Sequence, residues 1–169
     1  MLAYQRSALL RGHVWQLVTS HFVHASATHL LLNLAGTGVV AGAVAHALSG
    51  KKWLIVGGVV ATGSSVGVLL LQPDVRVMAG LSALLHGLLA TGATVEVRRG
   101  ERIGWVFLAL LAMKITWEQI AGPTPLTRSL LSGDIAIAAH ACGTLVGLIT
   151  GLVIRVDSRP ADSSTPPRR

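Results

Sequence analysis

Ser82 lies in Gly80-Leu81-Ser82-Ala83 and His140 in Ala139-His140-Ala141-Cys142-Gly143, each within a separate, strongly apolar stretch. A hydroxyl and an imidazole are poor groups to set against lipid. Polar and ionisable groups inside a bilayer are costly and commonly mark function. A serine and a histidine that meet can serve as nucleophile and general base, so the pair marks a candidate intramembrane hydrolase. Asn33, His86, Lys114 and Glu118 are further polar groups set in apolar runs.

Composition says what must carry these residues. Of 169 residues, 51% are hydrophobic and 12% charged, with a mean hydropathy of +0.63. A soluble domain carries about 25% charge, so the chain reads as a membrane protein, with room for several spanning helices in one domain. The single cysteine, Cys142, excludes an internal disulfide. A net charge of +7 raises the question of nucleic acid. The charges cluster between apolar segments and at the tail, which fits loops at an anionic membrane surface and no nucleic-acid partner. Arg6 and Arg11 fall in the first twelve residues, with no apolar core and cleavage site after them, so no secretory signal peptide is expected.

A bilayer core of about 30 Å needs about 20 helical residues. Five stretches meet that length: Thr28–Leu48, Trp53–Leu71, Val77–Val97, Ile103–Ile120 and Ile135–Ile154. They are long, and their Gly and Ala are scattered without alternation, which favours helices over strands. The predicted architecture is an all-α membrane bundle of five transmembrane helices. Residues 1–155 form the membrane domain, and 156–169, rich in Asp, Ser, Pro and Arg, form a disordered tail. Nine basic residues (Lys51, Lys52, Arg98, Arg99, Arg102, Arg155, Arg159, Arg168 and Arg169) share one side; four (Arg6, Arg11, Arg76 and Arg128) share the other. The richer side is expected in the cytoplasm, which puts the N-terminus outside.

That topology sets depth. Asn33, Ser82 and His140 each stand five residues past the start of an inward-running segment, roughly 7–8 Å deep at the helical rise. Lys114 and Glu118 fall in the outer half of the fourth segment, so five polar residues from four helices share the outer leaflet's depth. One polar cavity open to the outside accounts for them. Simpler roles exist for each residue taken alone. A membrane serine bonds to its own backbone or packs on a neighbour, and Lys114 and Glu118, four apart, form a structural ion pair. Gly143, Gly147 and Gly151 make a small-xxx-small stripe for close helix packing, which would bring His140 against the Ser82 helix. His86, four residues after Ser82 on the same face, is the second candidate base. His13, His21, His24 and His29 lack an HExxH or CxxC pattern and any intervening carboxylate, so no metal site is expected.

His29-Leu30-Leu31-Leu32-Asn33, Gly80-Leu81-Ser82, and Ala139-His140 with Gly143 and Gly147 occur in an order that resembles the rhomboid intramembrane serine proteases. His21-Phe22-Val23-His24, the run Gly80 to Gly87, and Lys114 with Trp117-Glu118-Gln119 resemble the rhombosortase branch in particular. The resemblance covers about residues 4–154. It implies Ser82 as nucleophile and His140 as base and then acid, a dyad needing no third carboxylate. It implies His29, Asn33 and the Ser82 backbone N–H as oxyanion donors, and no cofactor. It also implies a six-helix core, so five segments here would place the missing helix before Met1. Two positions depart from the family pattern: Ala83 replaces the glycine usual after the serine, and Trp15-Gln16 stands for Trp-Arg.

The resemblance implies an endopeptidase of the bacterial inner membrane, its site open to the outer face. It would cut membrane-anchored protein substrates in or near a transmembrane segment, the rhombosortase likeness pointing to GlyGly-CTERM anchors. Ala83, whose methyl could crowd the site, motivates the alternative of a catalytically inactive rhomboid-like binder of membrane proteins. A small transporter using Lys114, Glu118 and His86 as a proton path is the third reading.

Overall fold

The computed structural model describes residues 1–123, 129 and 137–156. The chain opens with a short strand β1 (Tyr4–Gln5), two single-turn helices α1 (Arg6–Leu9) and α2 (Gln16–Thr19), and a 3-10 turn over Ser20–Phe22. The long helix α3 (Ala27–Val44) follows, then α4 (Gly50–Leu71), strand β2 (Val77–Met78), α5 (Ser82–Arg98), α6 (Arg102–Ala121) and α7 (Ile137–Val153). β1 and β2 pair antiparallel, Tyr4 opposite Met78 and Gln5 opposite Val77. Gln16, where the family pattern has arginine, is buried and its Oε1 accepts from the Gln5 backbone N–H at 3.0 Å. It helps to seat the N-terminal segment on the bundle.

Among the described residues, three helices are long and apolar enough to cross a membrane: α3 with its 3-10 extension (Ala27–Ala47), α4 and α6. Their outward residues are large and apolar, among them Leu31, Val39, Leu54, Ile55, Trp105 and Met113, as a lipid-facing surface requires. This makes the chain a multi-pass membrane protein and corrects the expectation of five transmembrane helices. The predicted Val77–Val97 segment yields a helix of only 17 residues. Its first residues are spent on β2 and on a turn at Gly80, where φ is +121°. The predicted Ile135–Ile154 segment yields α7, also 17 residues and apolar but short. A hydropathy window counts residues, whereas a span needs helical rise, and the two part company wherever apolar residues form a turn. The single helix inferred to be missing before Met1 rested on that count and loses its basis. The predicted tail lies almost wholly outside the described residues.

α5 is the central element, packed against α3, α4, α6 and most extensively α7. Its buried residues are mostly small or polar, including Ala83, Gly87, Ala90, Thr91, Gly92 and Thr94, beside Leu84, Leu85 and Val95. The small-residue stripe of α7 lies directly on it. A Cβ on Gly143 would overlap the Ala83 carbonyl, one on Gly147 the Gly87 carbonyl, and one on Gly151 would come within 2.9 Å of the Thr91 oxygen. Backbones thus touch over two helical turns, where dispersion and interhelical contacts replace a water-driven effect. Thr91 Oγ1 donates to Gly147 O at 3.0 Å across the same seam. At the end of α5 away from Ser82, Arg98 donates to Gly151 O at 2.8 Å and Ile154 O at 2.7 Å, capping α7's last carbonyls. The α5–α7 seam is therefore fixed in register along its length.

Candidate active site

Ser82 is the first residue of α5, just after the Gly80 turn. The Gly80 N–H donates to Ser20 O at 3.1 Å, which ties that turn to the N-terminal segment. The first backbone N–H groups of a helix lack intrahelical acceptors and carry the positive end of its dipole. Ser82 therefore sits where developing negative charge is favoured. His140 occupies the first turn of α7, three residues before Gly143, so the glycine contact with Ala83 brings its ring to the serine. Ser82 Oγ and His140 Nε2 are 2.9 Å apart. Ser82 is half-buried and His140 buried.

The other nitrogen of His140, Nδ1, lies 2.8 Å from Glu118 Oε2 on α6. Glu118 is buried to 1% exposure, and its Oε1 accepts from Lys114 Nζ at 2.6 Å. The four-residue spacing of Lys114 and Glu118 predicts that ion pair. The contact with His140 spans 22 residues and a helix connection, so no local spacing carries it. His86 stacks on His140, ring centroids 4.4 Å apart and planes 8° from parallel. Its Nδ1 donates to the Ser82 backbone carbonyl at 2.6 Å. That bond engages the carbonyl of Ser82 and leaves the Oγ to His140.

On the other side of Ser82, α3 presents His29 and Asn33. Ser26 caps that helix, its Oγ accepting from the His29 backbone N–H at 3.1 Å. A Cβ added to Gly80 would lie 2.6 Å from the Cε1 and Nε2 atoms of His29 and 3.5 Å from Asn33 Nδ2. The glycine thus leaves room for the His29 ring beside the Ser82 turn, with Asn33 next to it. Asn33 is buried, and its Nδ2 has no hydrogen-bond partner among the described residues. A buried amide donor without an acceptor is unusual and is available to an incoming oxygen.

His86, Glu118 and His140 place potential metal-ligating atoms within 4.8 Å of one another. Their present arrangement is one of hydrogen bonding. Imidazole lone pairs lie in the ring plane, and two near-parallel stacked rings do not aim them at a common point. Both nitrogens of His140 and Nδ1 of His86 are already engaged. The N-terminal histidines are dispersed: His13 stacks on Trp15 at 4.7 Å, His21 is buried with Nε2 3.0 Å from Ala61 O, and His24 meets His29 edge-on at 5.1 Å. Burial pushes the His21 imidazole below its ordinary pKa, against hydrogen bonds to backbone that favour its charged form.

The chain is thus a helical membrane protein with a buried polar cluster built around one short, central helix. It belongs to the rhomboid family: the model of the rhomboid domain matches residues 11–156. Among curated proteins, none matches the chain.

Proposed function

We propose that this rhomboid-family membrane protein is a serine endopeptidase that cleaves a membrane-anchored substrate in or near its transmembrane segment. The observation that carries the reading is the 2.9 Å approach of Ser82 Oγ to His140 Nε2. In the proposed reaction Ser82 Oγ attacks the scissile carbonyl while its proton passes to His140 Nε2. The oxyanion accepts from Asn33 Nδ2, from His29 and from the Ser82 backbone N–H, preorganised donors in a site of low dielectric. Collapse breaks the C–N bond as His140 returns the proton to the leaving amine. Water then attacks the acyl-serine ester with His140 again as base, releasing the acid and restoring Ser82.

The motif resemblances further support a rhombosortase-type role on GlyGly-CTERM anchors, in a bacterial inner membrane with the site facing outward. Such a substrate suits the site: each glycine weakens a helix by about 1 kcal/mol relative to alanine, so a glycine-rich segment unwinds readily into reach of Ser82.

A second reading, a catalytically inactive rhomboid-like binder, requires only family membership and a membrane-embedded bundle. Ala83 favours it. A fluorophosphonate probe on purified protein separates the two. The endopeptidase reading expects labelling of the wild type that disappears in Ser82→Ala. A folded wild type that takes no label points to the binder.

A further inference from the structure

We infer that Glu118 is a positioning residue for His140, turning a serine–histidine pair into a three-membered hydrogen-bonded array clamped from behind by Lys114; the inference rests on the endopeptidase reading above. The chemistry of the atoms makes the argument. An ionised carboxylate only accepts hydrogen bonds. At 2.8 Å from Glu118 Oε2, His140 Nδ1 therefore carries the hydrogen, and Nε2 holds the lone pair. That is the tautomer a base facing Ser82 Oγ needs. The opposite tautomer would donate to Oγ from Nε2 and could not take its proton.

The carboxylate is itself held. Each of its oxygens has a different cationic or N–H donor: Lys114 Nζ at 2.6 Å on Oε1 and His140 Nδ1 at 2.8 Å on Oε2. Lys114 lies one helical turn before Glu118 on α6, so it fixes the carboxylate's rotation from the same face. Burying an unpaired carboxylate is costly, and Lys114 provides the pairing charge before any proton moves. The stacked His86 ring covers one face of His140 and limits its swing. When His140 takes the serine proton, the adjacent carboxylate stabilises the resulting imidazolium, as the buried aspartate does in soluble serine proteases. A mere ion pair on α6 would need only Lys114; the second oxygen reaching α7 is what a positioning role adds.

The test uses the full chain in detergent and measures fluorophosphonate inactivation as separate maximal rate and half-saturation terms, beside thermal unfolding. Glu118→Gln is expected to slow the maximal rate by about 10³–10⁴-fold, the scale of the corresponding carboxylate-to-amide change in a serine protease. Half-saturation should stay within a few-fold of wild type, and Glu118→Asp should recover part of the rate. A Glu118→Gln protein that reacts within about threefold of wild type overturns the inference. So does a rate loss that tracks the unfolding midpoint equally in the Gln and Asp variants, because that marks a structural tie alone. Side-chain ¹⁵N NMR of the wild type needs no folded variant at position 118. A His140 signal with hydrogen on Nδ1 and bare Nε2 is expected, and the reverse tautomer overturns the inference. A wild type that never reacts removes the endopeptidase reading and this inference together; a reactive wild type with an indifferent Glu118→Gln removes only the inference.

Discussion

Substituting Gly143→Ala probes whether close backbone contact between α5 and α7 is what brings histidine to serine. A Cβ at this position would stand 2.9 Å from the Ala83 carbonyl carbon and 3.3 Å from its Cα, with the carbonyl oxygen nearer still. Non-bonded carbons are comfortable at about 3.5–4.0 Å, so α7 must retreat from α5 by about 1 Å. Ser82 immediately precedes Ala83, and His140 lies three residues before Gly143. The retreat therefore falls on the 2.9 Å Ser82–His140 contact and opens it to about 4 Å, beyond hydrogen-bond range. Misplacement on that scale costs about 10²-fold in rate, and overpacking of this kind about 1–3 kcal/mol in stability. Fluorophosphonate labelling rates and thermal unfolding in detergent measure both. Gly58→Ala on α4, where an added methyl meets nothing within 4 Å, serves as the control and should leave the rate unchanged. Ala83→Gly is a second control, because the atoms facing Gly143 are the backbone of Ala83. If Gly143→Ala reacts at the wild-type rate, the pairing of Ser82 with His140 does not depend on this seam and the reasoning fails.

Two other expectations follow from buried polar groups. Asn33→Ala removes a donor whose Nδ2 has no partner among the described residues; labelling should slow by about 10²–10³-fold with little change in unfolding temperature, and an unchanged rate would remove Asn33 from the oxyanion site. His21 is held neutral by burial, its pKa lowered in the folded protein. The unfolded chain takes up that proton near pH 6.5, so this contribution to stability is full above about pH 6.5 and is lost as pH falls below it toward the lowered folded value. Unfolding temperature should drop between pH 7.5 and 5.5 and drop less in His21→Gln; parallel curves for the two proteins would rule out His21 as the source.

Membrane character and family were legible because both are written locally. Apolar runs mark lipid-facing helices, and the ordered pieces around Asn33, Ser82 and His140 carry the rhomboid resemblance. The number of spanning helices was not legible. Val77 and Met78 look like the start of a helix by hydropathy, yet they pair with Tyr4 and Gln5, more than seventy positions earlier in the chain. Gly80 then takes a positive φ that ends the extended segment and starts α5 at Ser82. The stripe of Gly143, Gly147 and Gly151 announced close packing by its spacing, and the helix it meets is the Ser82 helix, as expected from the sequence.

The candidate site divides in the same way. Lys114 with Glu118 and His86 with the Ser82 carbonyl are contacts across one helical turn, which a four-residue spacing expresses directly. Ser82 with His140 spans 58 residues, and His140 with Glu118 spans 22. By itself the sequence determined a rhomboid-family membrane chain and which polar residues it sets among apolar ones. Only the tertiary structure decided that α5 and α7 are short helices packed on one another and that Glu118 turns one oxygen to Lys114 and the other to His140. The physical reason is that periodicity reports neighbours along a single helix, whereas these distances depend on how closely two glycine-lined backbones approach.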